Sequence, residues 1–137
     1  MELMLVAKTG FWGKQVSAIT RSKWNHIILL DSQGIVHEFD TQGYFQAPLS
    51  FYREFYEVAS LGEYNDVSEE VYLGRISALV HQDYSYLYNL NYFLKEIDQI
   101  SFRFDGMNCV SFVVEVLQKH KNMRYHAPSD FLELSGT

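Results

Sequence analysis

A single cysteine among 137 residues rules out an internal disulfide, so the chain folds without covalent staples and carries one thiol that needs an explanation. Basic residues number 11 against 17 acidic ones, and the few Lys and Arg are scattered rather than gathered in a stripe. A net charge of −6 with no basic face offers nothing to a phosphate backbone, which excludes nucleic acid as the expected ligand. No apolar run approaches the roughly 18 residues that read as a membrane span. The opening Met-Glu-Leu-Met-Leu-Val-Ala also lacks the basic flank and long apolar stretch of a signal peptide. These absences predict a protein with no stable membrane anchor, cytoplasmic or else phage-associated and released by lysis.

What is present suits one compact α+β domain spanning residues 1–137. Hydrophobic residues make up 47% of the chain and aromatics 16%, enough for a single buried core, while charged residues at 20% argue against disorder. An apolar run at 3–7 predicts a first strand, and residues 12–21 a short helix. Residues 26–30 and 35–39, rich in Ile, Leu and Val, flank Asp31-Ser32-Gln33-Gly34 and predict a β-hairpin. Residues 43–50, with Gly, Gln and Pro, read as a loop, residues 51–55 fit no single element, and 57–61 read as a strand. Asp66 followed by Glu69 resembles a capping box ahead of a helix over 67–80, and a second helical segment follows at 84–97. Asn108 caps a last helix whose Val110, Val113, Val114 and Leu117 share one face. A short turn or helix begins at 127–130.

Chemistry concentrates at three residues. Cys109 takes the first position of its helix, where unpaired backbone N–H groups and the helix dipole favour a thiolate. The competing reading is a buried cysteine that acts only as a small hydrophobe. His26, at the head of an apolar strand, supplies an imidazole that can take the thiol proton if the fold brings the two together. A third polar side chain normally fixes such a base, and here two adjacent residues compete, because a strand sends His37 and Glu38 to opposite faces. Pairing Leu30 with Ile35 across the turn places His37 on the same side as His26, so His37 is the expected third residue. His26, His37 and Cys109 lack the spacing of a metal motif, so neither metal nor cofactor is expected. His81, His120 and His126 read as solvated, and Tyr84, Tyr86, Tyr88 and Tyr92 as packing residues.

The run Asn108-Cys109-Val110-Ser111-Phe112-Val113 resembles the Asn-Cys-x-x-Phe-Val helix of the lecithin retinol acyltransferase-like proteins. His26-Ile27-Ile28-Leu29-Leu30 followed by Gly34-Ile35-Val36-His37 resembles their histidine hairpin. These proteins form the permuted branch of the NlpC-type papain-like superfamily, in which the histidine strands precede the cysteine helix, as they do here. Two departures stand out: the turn between the histidines is a residue shorter than usual, and a Gly-Asp pair common near the family's amino end is missing. The resemblance implies a circularly permuted papain-like fold, with an antiparallel sheet packed against a cysteine-bearing helix. It also implies Cys109 as nucleophile, His26 as base and His37 as the third polar residue. The leading expectation is hydrolysis of an amide or peptide bond, with a small peptide or peptidoglycan fragment as substrate. The alternatives are acyl transfer or ester hydrolysis on a lipid ester, and a non-catalytic binding or structural module that keeps the fold.

Overall fold

The computed structural model describes residues 1–9, 22–40, 42–81, 109–120, 128 and 131–132. They form an α+β arrangement around a five-stranded antiparallel sheet, in spatial order β4-β3-β2-β1-β5. The strands are β1 (Glu2–Ala7), β2 (His26–Leu30), β3 (Ile35–Asp40), β4 (Gly43–Pro48) and β5 (Glu57–Glu63). Three helices are described: α1 (Leu49–Phe55), α2 (Glu69–Leu79) and α3 (Cys109–Leu117). The expected helices at 12–21 and 84–97 lie outside the described residues, as do Asn108 and His126. Among the described residues, no helix is long and apolar enough to cross a membrane.

Alternation along the central strands sorts their side chains into two cores. Leu3, Leu5, Ile27, Leu29 and Phe39 point to one face, where they pack against Tyr72 and Ile76 of α2 and Val110, Phe112, Val113, Val116 and Leu117 of α3. Met4, Val6, Ile28 and Val36 point to the other, where Tyr52 of α1 covers them. Buried on both faces, β1 and β2 read as almost unbroken apolar runs rather than alternating ones. The helix α3 is likewise apolar nearly all round, as a helix lying on a sheet beside a second helix must be.

Three expectations need correction. Residues 43–48, read as a loop, are an edge strand paired with β3 from Asp40↔Gly43 to Ile35↔Pro48, and Leu49–Phe55 is helical. Pro48 is tolerated because it ends an edge strand, where no further ladder bond is asked of it. The capping box does not form: Ser68 is the N-cap of α2, without a side-chain bond. Glu69 instead accepts from the backbone N–H of Ser32 at 2.6 Å and from its hydroxyl at 2.5 Å, and two charge-assisted bonds outcompete one reciprocal cap. Finally, His120 is buried, not solvated. The helix α3 stops at Gln118, whose left-handed backbone (φ 64°) turns the chain back on the core. His120 then packs edge-on against Tyr64 and Phe131, with its Nε2 2.8 Å from the Tyr64 hydroxyl.

Candidate functional site

The hairpin register decides what His26 meets. Asp31 N–H donates to the Ile35 carbonyl, Gly34 N–H donates to the Asp31 carbonyl, and the Asp31 side chain accepts from the N–H groups of Gln33 and Ile35. The loop therefore has three residues, Ser32-Gln33-Gly34, with Gly34 in the left-handed conformation (φ 78°) that closes such turns. Leu30 then pairs with Val36 and Leu29 with His37, one residue away from the expected pairing of Leu30 with Ile35. A slip of one residue exchanges the faces of every side chain on β3. The expected placement of His37 beside His26 is overturned, and Glu38 stands there instead.

The Glu38 carboxylate lies 2.5 Å from His26 Nε2, with both side chains buried. The same oxygen accepts from the Lys8 ammonium at 2.9 Å, and Asp40 lies 3.7 Å from that ammonium. Burial opposes the charge on Glu38, but the bond to His26, the nearby Lys8 and the adjacent Tyr52 hydroxyl outweigh it and hold the carboxyl down at about 2. Desolvation and the negative charge of Glu38 push Tyr52 far up, so its hydroxyl stays protonated.

His26 also meets Cys109, which stands half-buried at the first position of α3 against the helix-side core. Burial and the Lys8 cation disfavour a charged imidazole, yet the cysteine sulfur and Glu38 prevail and raise His26 to about 8. With Nε2 committed to Glu38, Nδ1 is the nitrogen left for the thiol. The imidazole thus bridges the two faces of the sheet from the first residue of β2, with the sulfur on one side and the carboxylate on the other.

His37 belongs to a separate buried cluster. Its Nε2 lies 2.8 Å from Asp31 Oδ2 and its Nδ1 2.6 Å from the Tyr44 hydroxyl. Asp31 is burdened by burial, but His37 and the two turn N–H groups hold it below the ordinary carboxylate range. An ionised carboxylate can only accept, so His37 Nε2 carries a proton and Nδ1 is left to Tyr44. The ring of Tyr44 packs against Phe112 of α3, which ties this cluster to the helix that carries Cys109.

Sequence reasoning missed Lys8, Asn25 and Tyr52. Asn25 accepts from the Lys8 N–H at 2.8 Å and donates its amide to the Lys8 carbonyl at 2.7 Å, extending the β1–β2 pairing just before His26. The signal for Lys8 was parity: it follows Met4 and Val6 on alternate positions and so shares their face, once β1 is known to pair with β2. Nothing local marked Tyr52, whose helix lies in a stretch with no clear period. Among the described residues, no group of three or more His, Cys, Asp or Glu side chains could hold a metal ion. No protein-family model matches the sequence, and neither does any curated protein.

Proposed function

We propose that this chain is a thiol hydrolase of the circularly permuted papain-like type, cleaving an amide or peptide bond, with cell-wall peptides among the candidate substrates. The observation that carries the reading is a buried carboxylate–imidazole pair, Glu38–His26, in contact with a cysteine at the head of a helix. A general base oriented by a third group and reaching a nucleophile is the arrangement that covalent catalysis requires. The histidine strand preceding the cysteine helix supports the resemblance to the lecithin retinol acyltransferase-like branch, with Glu38 rather than His37 as the orienting residue.

In this reading His26 takes the thiol proton and Cys109 attacks the substrate carbonyl carbon. In this reading the first N–H groups of α3, which lack helical partners, receive the developing oxyanion. When the tetrahedral adduct collapses, the C–N bond breaks, the amine leaves with the proton from His26, and a thioester remains. Water then gives a proton to His26 and attacks the thioester, which releases the acid and restores the thiol.

Lipid acyl transfer or ester hydrolysis is the second reading, favoured by one surface feature. Phe45, Phe51 and Phe55 are exposed and cluster at ring separations of 6.5 Å and 5.2 Å, an apolar patch that suits a lipid surface. Incubation with an electrophilic thiol probe, followed by turnover assays on amide and lipid ester substrates, tests both readings. Cys109 should label faster than in unfolded protein at the same pH, and Cys109→Ala should abolish turnover with little loss of stability. Labelling no faster than in the unfolded control would refute a nucleophilic role.

A further inference from the structure

We infer that Lys8 is a positioning residue of this site, a cation clamped behind the Glu38–His26 pair that holds the carboxylate in place and restrains the basicity of the imidazole. The inference rests on the reading of Cys109 and His26 as a catalytic pair, and adds to it a residue that never touches substrate.

Two independent observations carry it. The first is the shared oxygen: Glu38 Oε2 takes both His26 Nε2 at 2.5 Å and Lys8 Nζ at 2.9 Å, so the two cations compete for one charge and lie close to each other. The second is the backbone clamp. A surface lysine normally swings freely on its four-carbon stem. Here the N–H and carbonyl of Lys8 are both held by the Asn25 side chain, immediately before His26, and the Lys8 side chain is only 20% exposed. Leaving the end of β1, it must pass over β2 to reach Glu38 on β3. Its ammonium also lies 5.9 Å from the centroid of the Tyr56 ring.

Among the described residues, the charged and titratable groups facing His26 and Lys8 are Glu38 and Asp40 from β3, Tyr52 from α1, Tyr56 just beyond it, and Cys109 from α3. Two of these groups, Glu38 and the cysteine sulfur, draw His26 towards the charged form. Among the described residues, Lys8 is the cation that opposes them. Without it the imidazole would hold its proton too firmly to return it to a leaving group, since a base serves best when it titrates near the working pH.

The test is an NMR titration of the histidine rings in the intact protein, in wild type, Lys8→Met and Lys8→Arg. Two unit charges about 5 Å apart, at a screening between that of water and the protein surface, move each other's midpoint by about one pH unit. Lys8→Met should therefore raise the His26 midpoint from about 8 by about that much, while Lys8→Arg should keep it near the wild-type value. A merely structural lysine would release Glu38 when removed, and His26 would then fall or stay put. Either of those results overturns the inference. Should Lys8→Met not fold, isotope-labelled lysine in the wild type decides: the Lys8 side-chain resonance should inflect at the His26 midpoint, and a flat trace would overturn the proposal. Iodoacetamide rates measured alongside keep the two readings apart. A wild-type Cys109 that is no more reactive than in unfolded protein strikes at the catalytic pair, whereas a reactive Cys109 with an unmoved His26 midpoint in Lys8→Met strikes at Lys8 alone.

Discussion

Replacing Glu38 with Gln should invert how stability responds to pH. In the wild type the His26 midpoint rises from its ordinary 6.5 to about 8 on folding. At about 1.4 kcal/mol for each tenfold change, the charged imidazole adds about 2 kcal/mol to the folded state. Because the folded value lies above the unfolded one, that stabilisation is complete below about pH 6.5 and is lost as pH rises through about 8. Glu38→Gln keeps an acceptor for Nε2 and nearly the same volume but removes the charge. Burial and Lys8, which both oppose the imidazolium, are then balanced only by Cys109, and the folded midpoint drops towards or below 6.5. The 2 kcal/mol loss across that window should vanish or change sign. The variant should also be less stable, by about 3 kcal/mol near pH 6, as expected when one member of a buried ion pair is removed, with the deficit narrowing to about 1 kcal/mol near pH 9 as the wild type loses its pH-dependent share. Urea unfolding followed by tryptophan fluorescence at about pH 6 and about pH 9 measures both effects, since the midpoint moves in proportion to stability at constant slope. Parallel stability curves for the two proteins would show that Glu38 does not set the charge of His26.

His37→Ala should cost about 2–3 kcal/mol of stability, because it leaves Asp31 and Tyr44 without their shared buried partner, yet it should retain most of the Cys109 alkylation rate. Glu38→Ala should lose that rate, and the opposite outcome for the pair would restore the discarded register. Gly34→Ala and Gly74→Ala should differ in sign under thermal or urea unfolding, although neither added methyl would meet a neighbour. Gly34 has φ 78° and the substitution should cost about 1 kcal/mol, whereas exposed Gly74 lies inside α2 and its replacement should gain about 0.5–1 kcal/mol.

The hairpin and β1 were legible because β-branched and leucine runs broken by a polar turn leave few other readings. The register was also written there, in Asp31-Ser32-Gln33-Gly34, an Asp opening a turn and a Gly three places later. Counting all four residues as loop, rather than closing the turn between Asp31 and Ile35, moved the residue expected beside His26 from Glu38 to His37. The strand β4 was not legible, since its Gly43, Gln46 and Pro48 carry turn chemistry and only pairing with β3 makes the segment extended. Cys109 and His26 stood out by position and type. Their contact did not, because 83 positions of sequence separate them and only the sheet brings β2 under α3.

The placement of His26 at the tip of β2 has a consequence for how such a site can change. Thiol and carboxylate occupy different layers, insulated by a sheet whose central strands are sealed on both sides. Among the described residues, the His26 imidazole is the group that meets both. In the proposed reading, substitutions on the α1 side, at Lys8, Glu38 or Tyr52, can retune the strength of the base without reshaping what the sulfur presents to a substrate. In the same reading, substitutions around α3 away from Cys109 can remodel substrate access and leave the base untouched. For the proposed hydrolase, proton affinity and substrate choice are thereby separable traits, joined through one ring.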